Sequence, residues 1–225
     1  VEHTEQRPSP AVEDYAKAIY SLAQRAQGGH VTTNALAERL GVTPGSASGM
    51  VRRLDELGLV AHEPYHGVRL TEEGQRVALE VLRHHRLLEL LLIELGLPWD
   101  RVHDEAEVLE HHISEELEAL IAARLGDPTH DPHGDPIPSA DLRIDEGESV
   151  PLDTLDVGAR GRFVRVSDSD PAMLRYLGER GIAPGAELEV AERQPFGGPV
   201  FARIAGETHV LGGALASAMR VEVAR

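Results

Sequence analysis

Apolar residues recur at helical spacing through roughly the first 126 positions and alternate in short runs beyond about residue 150, so a helical part precedes a strand-rich one. Tyr15, Ile19 and Leu22 share one face of a helix expected from about Ala11 to Gln27, stopped by Gly28–Gly29. Residues 1–10, polar with Pro8 and Pro10, read as disordered. Thr33–Asn34 is placed to cap a short helix, Ala35–Leu40, that ends at Gly41. Thr43–Pro44 opens another that runs to Leu57 and stops at Gly58. Leu59–Glu63 and Val68–Leu70, around the turn Pro64–Tyr65–His66–Gly67, predict a β-hairpin. Two short helices across a Gly turn, followed by a hairpin, make a winged helix-turn-helix pattern.

Thr71 is expected to cap a long helix reaching Leu95, with Leu87, Leu88, Leu91, Leu92 and Leu95 as a core or dimer stripe. Gly96–Leu97–Pro98 breaks it. The next helix carries Val102, Ala106, Leu109 and Ile113 on its apolar side, and Ser114 restarts a helix that ends at Gly126. Asp127–Pro138 is a turn-rich loop and 139–150 an acidic linker. Beyond it, Gly161–Val166, Ala186–Glu192, Val200–Ile204, Thr208–Leu211 and Met219–Val223 read as strands of a small barrel, interrupted by a helix at about Pro171–Arg180. The expected fold is mainly α with a small β domain. Its parts are a winged helix-turn-helix (1–72), a helical metal-binding and dimerisation domain (73–138), the linker, and an SH3-like β-barrel (151–225).

A polar stripe supplies the chemistry. At 100° per residue His103, Glu107, Glu110 and His111 fall within about a 100° arc of one helix, and His85 and Glu89 form an i, i+4 pair on the helix before it. Imidazoles and carboxylates on one stripe read as a divalent-metal site. The chain has no cysteine, which excludes disulfides, thiolate zinc sites and cysteine nucleophiles, and leaves oxygen and imidazole donors that favour Mn²⁺ or Fe²⁺ over Cu⁺. A net charge of −16 is unusual for a DNA binder. Residues 1–70, however, carry eight acidic and seven basic groups, and the excess acid lies in 71–225. A bound dication offsets part of that repulsion. No stretch approaches the ~20 apolar residues of a membrane helix, and without an apolar leader a cytoplasmic location is expected.

These residues resemble the diphtheria toxin repressor family of metal-dependent bacterial regulators. The resemblance is carried by Glu13–Asp14–Tyr15, the winged head, His84–His85–Arg86–Leu87–Leu88–Glu89, the run Val102–His111 and His133–Pro138, in the family's order and spacing; the C-terminal part is similar to the SH3-like (ferrous transport protein A-like) domain of longer members. It implies a homodimer that binds palindromic operators on double-stranded DNA when loaded with metal, with no membrane partner. Iron-type members place Met and Cys where this chain has Asp14 and Glu107, so the manganese-responsive branch is the better match. The cofactor implied is Mn²⁺, with Fe²⁺ as the alternative and Co²⁺, Cd²⁺ or Zn²⁺ as substitutes in vitro.

Residue by residue, the resemblance implies a first site of Asp14, Glu107, Glu110 and His111 and a second of His85, Glu89 and His103, with Asp168 or Asp170 as weaker additions from the barrel. The resemblance also offers a paired-metal arrangement that uses His85 and Glu107, as in short manganese-type members; those members have Glu at the position of Lys17, so their exact two-metal cluster does not carry over directly. For DNA, the helix-turn-helix offers Thr33, Thr43, Pro44, Ser46, Ser48, Arg52 and Arg53, and the wing Tyr65 and Arg69; Gly49 stands where iron-type members carry a base-reading Gln. His84, His112, Asp104 and Glu105 read as supporting or surface groups, and His130 and His133 as surface groups of a loop. Two rival readings of the stripe remain: a metallohydrolase with Glu105 or Glu110 as base, and a winged-helix regulator whose acids are only a solvated face.

Overall fold

The structure, a computed structural model, describes residues 7–24, 29–63 and 67–224, which separate into two compact units. The first comprises the chain up to His84 together with Glu110–Ile113 and Pro138–Arg143; the second holds His85–Leu109, Ser114–Ile137 and Ile144 onward.

In the first unit, α1 (Pro10–Ala23) starts on a proline at its first turn and buries Val12, Tyr15, Ala16 and Ile19. The expected tail to Gln27 and the stop at Gly28 fall partly outside the described residues, as do residues 1–6 of the segment read as disordered. α2 (Thr33–Arg39) is capped by Thr32, not Thr33: the Thr32 hydroxyl accepts from the Ala35 amide at 3.2 Å. α3 (Pro44–Glu56) has the expected Thr43 cap, which accepts from the Ser46 amide. β1 (Val60–Glu63) and β2 (Gly67–Leu70) pair antiparallel, with Val60 opposite Leu70; residues 64–66 of the turn lie outside the described residues. Ile19, Leu36, Leu54 and Val68 are fully buried, and α1 touches α2, α3 and β2. The Thr71 hydroxyl accepts from the Gly74 amide at 3.1 Å and caps α4 (Glu72–Glu94). A side chain at Gly74 would put its Cβ 1.9 Å from the Leu59 carbonyl oxygen, so only glycine lets α4 start this close to β1.

The second unit contains the C-terminal half of α4, α5 (Val102–Leu109), α6 (Glu115–Arg124), the loop 127–137 and a six-stranded antiparallel sheet. The strands are β3 (Val150–Pro151), β4 (Arg160–Val166), β5 (Glu187–Arg193), β6 (Val200–Ile204), β7 (Glu207–Leu211) and β8 (Met219–Val223), in the order β3-β8-β4-β5-β6-β7. α7 (Pro171–Gly178) and α8 (Gly213–Ala218) complete it. Phe163, Leu174, Leu177, Ile204 and Met219 form its core, against which Trp99 packs. Gly134 anchors the loop to β4. Its φ is +88°, and a Cβ there would lie 1.8 Å from the Val164 carbonyl oxygen, while the neighbouring His133 carbonyl accepts from the Val166 amide.

The helix expected to carry the whole polar stripe stops early. α5 ends at Leu109, so Glu110 and His111 lie in the turn that follows. Ser114 adopts an extended N-cap conformation to begin α6, and the Ile113 carbonyl accepts from Arg7 at 2.7 Å instead of a helical amide. No helix among the described residues is long and apolar enough to cross a membrane.

Candidate metal centres and nucleic-acid face

The first candidate centre lies in the first unit. Asp14 on α1 and Glu110 and His111 in the turn after α5 offer one donor atom each, all within 4.8 Å of one another. Asp14 Oδ1 is 3.0 Å and Glu110 Oε1 3.5 Å from His111 Nε2. His111 Nδ1 donates to Glu13 Oε2 at 2.5 Å, which turns Nε2 toward the other two carboxylates. Glu13 in turn accepts from Arg7 Nε at 3.1 Å, and the same guanidinium donates to His84 Nδ1 at 2.9 Å. Buried Glu110 is held by Lys17, whose Nζ is 2.6 Å from Oε1. Glu107 is not part of this triad; it stays on α5, with Oε1 3.7 Å from His103 Nε2 and 3.9 Å from His85 Nδ1.

The second candidate centre lies in the second unit. His85 and Glu89 from α4, His103 from α5 and Asp168 from the segment after β4 form a four-residue group. His85 Nε2 is 3.2 Å from Glu89 Oε1, and His103 Nδ1 is 3.0 Å from Asp168 Oδ2. Asp170, named with Asp168 from the sequence, is not in this group; it caps α7, accepting from the Ala172 and Met173 amides.

The expectation for His133 is overturned. It is fully buried, stacks on Trp99, and its Nδ1 lies 3.5 Å from Glu89 Oε2. Its Nε2 donates to the Trp99 carbonyl at 2.9 Å, which leaves Nδ1 facing Glu89. Asp131 joins them in a second buried group, its Oδ1 accepting from the amides of His133 and Asp135. His130 is exposed, as expected. The alternation Asp131–Pro132–His133–Gly134 was the available signal; its setting among turn residues pointed to the surface instead.

The electrostatics of this second cluster follow from acids and imidazoles packed closely together. Burial alone would lower the pKa of His103, but hydrogen bonds and charge from Asp168 and Glu89 override it and push it up to about 10. Burial likewise opposes protonation of His133, and Glu89 and Asp131 push it up to about 9. For Glu89, burial acts upward, yet the hydrogen bonds from His103, His133 and His85 hold it well below the usual carboxylate range. Asp168 is lowered to about 2 against its own burial by His103. Burial, reinforced by the charges of Glu89 and Asp135, holds Asp131 well above its usual range. Glu89 Oε2 and His133 Nδ1 are buried and face each other at 3.5 Å, a long contact for a buried pair. A carboxylate and an imidazole are donor types that a divalent ion takes.

The helix-turn-helix residues lie on one exposed surface. Thr43, Pro44, Ser46, Arg52 and Arg53 are exposed, Thr33 and Ser48 half-buried. Thr43 and Ser46 hydroxyls lie 2.9 Å apart at the start of α3, where backbone amides favour phosphate. The Ser48 hydroxyl donates to the Pro44 carbonyl, and Arg53 pairs loosely with Glu56. A Cβ at Gly49 would meet nothing within 4 Å, so this surface of α3 is open where a base-reading side chain would stand. On the wing, Arg69 is 3.4 Å from Glu63, and Tyr65 lies outside the described residues.

Comparison with known proteins assigns each segment. Residues 9–68 match the model for the iron dependent repressor N-terminal DNA binding domain, 71–139 that for the iron dependent repressor metal binding and dimerisation domain, and 150–223 the FeoA domain. The chain is similar to the iron-dependent repressor IdeR of Mycobacterium tuberculosis, 32% identical over 223 residues, covering 93% of this chain and 96% of that protein. It is 36% identical to the HTH-type transcriptional regulator MntR of Lysinibacillus sphaericus over 107 residues, 48% of this chain and 76% of the relative. Among solved structures it resembles a manganese-dependent transcriptional repressor in complex with manganese, at 45% identity and a TM-score of 0.88, covering 95% of this chain and all (100%) of the other.

Proposed function

The chain belongs to the diphtheria toxin repressor family of metal-dependent transcriptional repressors, and from that premise we propose that it senses Mn²⁺ and represses genes of manganese and iron homeostasis. The observation that carries the proposal is the place of the Asp14–Glu110–His111 triad, in the same compact unit as the winged head. Two of its three donors are carboxylates, and oxygen-rich sites suit Mn²⁺.

Asp14, Glu110 and His111 would hold the ion, which would supply the positive charge that offsets the repulsion of the two carboxylates. Asp14 would then link α1 to the turn holding Glu110 and His111. Because α1 packs on α2, α3 and β2, fixing α1 fixes the attitude of α3. Glu13 and Arg7 keep His111 turned toward the triad. The ordering cost of presenting α3 is thereby met before DNA is encountered.

Leu95 just after α4, Val108 on α5 and Leu117 and Leu120 on α6, apolar and exposed, offer surface on which a second copy would pair. In such a dimer the two α3 helices enter successive major grooves about 34 Å apart, which calls for a palindromic operator. The family is one of regulators, not enzymes, so the metallohydrolase reading falls away.

The test is binding of the purified protein to DNA upstream of its own and neighbouring metal-uptake genes, titrated with Mn²⁺, anaerobic Fe²⁺ or Zn²⁺ against a chelator control. Tight binding with Mn²⁺ at concentrations where Fe²⁺ fails is expected. Fe²⁺ acting at the lower concentration would reassign the metal, and binding indifferent to chelator would refute metal sensing.

A further inference from the structure

Lys17 is the chain's only lysine; every other cationic side chain, histidine aside, is arginine. It lies at the first centre, its ammonium 2.6 Å from Glu110 Oε1, with Glu110 fully buried and the lysine side chain 14% exposed. The same oxygen is the one that completes the triad, 3.5 Å from His111 Nε2. Lysine and metal therefore converge on a single carboxylate oxygen. A buried carboxylate without a cation is strongly disfavoured, so the metal-free chain needs a positive charge at this point, and Lys17 provides it. An ammonium is a compact charge on a flexible four-carbon stem, able to hold one oxygen and then withdraw; a guanidinium would clamp the carboxylate more rigidly.

We propose that Lys17 is a tethered cation that holds Glu110 Oε1 in the metal-free chain and is displaced when metal enters the triad, so that it weakens the first centre's affinity. The proposal rests on the triad being a metal centre. In the loaded state the ammonium and the dication repel across one oxygen, and the partly exposed side chain gives Lys17 a route to solvent. The affinity of the sensor is thus set by a charge that never leaves the chain.

The test uses the full chain, with Mn²⁺ titrated against wild type, Lys17→Gln, Lys17→Arg and Asp14→Ala and the free aquo ion counted by electron paramagnetic resonance. Lys17→Gln is expected to tighten the ion that Asp14→Ala loses at least tenfold, and Lys17→Arg, which keeps the charge, to leave it near wild type. As a direct readout, acylation of wild-type Lys17 by an N-hydroxysuccinimide ester, followed by peptide mapping, is expected to be faster with Mn²⁺ than with chelator, an acceleration absent in Asp14→Ala. Unchanged or weaker binding in Lys17→Gln, or acylation indifferent to Mn²⁺, overturns the proposal. If Asp14→Ala still loses one ion in that case, the triad remains a metal centre; if Asp14→Ala loses none, both readings fall. Should Lys17→Gln not fold, the acylation of the wild-type chain decides alone.

Discussion

Metal binding at the second centre should be steeply pH-dependent, and the size of the effect follows from its histidines. In the metal-free chain the pKa of His103 stands at about 10 and that of His133 at about 9. Imidazole must be neutral to ligate. At pH 7.5 removing the two protons costs about 3 and about 2 kcal/mol respectively, at about 1.4 kcal/mol per pH unit. If both rings ligate, the binding constant should rise by up to about 100-fold per unit between pH 6.5 and 8.5, and each ion should release about two protons. The assay is Mn²⁺ titration at three pH values in an Asp14→Ala background, which silences the first centre, with proton release followed by an indicator dye in weak buffer. A flat profile with less than half a proton released would refute the reasoning. The metal-free protein should show the opposite sign. Because the His103 pKa is raised, its stabilising contribution is full below the usual 6.5 and is lost as pH rises through about 10. Because the Asp168 pKa is depressed, its contribution is present above 3.8 and is lost as pH falls through about 2.

Other expectations are local. Gly134→Ala should cost about 2 kcal/mol or more from left-handed strain, with a clash against the Val164 carbonyl in addition; a lower melting temperature and loss of the second-centre ion check it, and an unchanged melt would contradict it. Glu89→Gln removes the charge on which His85, His103 and His133 converge. Its imidazoles should titrate at lower pH by NMR and one ion per chain should be lost; an intact ion count would exclude Glu89 as a ligand. Thr43→Ala should destabilise by about 1 kcal/mol through the lost cap and weaken DNA binding at saturating Mn²⁺ without altering the ion count, whereas full DNA affinity would remove the start of α3 from the interface.

Periodicity and caps made the framework legible. Gly41, Gly58 and the Thr43–Pro44 cap bound α2 and α3 as the sequence implied, and the alternating runs became β4 to β8. What escaped depends on contacts distant in sequence. Nothing local separates Thr32 from Thr33 as a cap, since both are competent. The helix expected through Glu107 and Glu110 meets no Gly or Pro; it ends at Leu109, ahead of the Ser114 cap of α6 and of the Ile113 carbonyl that Arg7, 106 residues away, takes. A helical wheel therefore placed on one helix four residues of which Glu110 and His111 lie in the turn after it. His133 escaped because a loop of Pro, Gly and Asp reads as solvent-facing, whereas Gly134 brings this one against β4 and Trp99 covers the ring. β3 and α8, of two and six residues, are too short to leave a periodic signal.

The two donor sets also differ in kind, and that bears on which of them can carry selectivity. The triad has two carboxylates to one imidazole, while the second cluster has two of each, His85 and His103 with Glu89 and Asp168, beside the group of Glu89, Asp131 and His133. Mn²⁺ is the weakest binder of the first-row divalent series at any such site, and imidazole donors favour the later metals over it more than carboxylates do. Its larger share of imidazole makes the second cluster the place where Zn²⁺ or Co²⁺ would more readily displace Mn²⁺. A selective response therefore has to be read where oxygen predominates, at the centre that shares a compact unit with the DNA-binding head. The second centre joins α4, α5, the 131–135 loop and the segment after β4. Its donors come from elements far apart in sequence, so its occupancy stabilises the fold of that unit whichever divalent ion fills it.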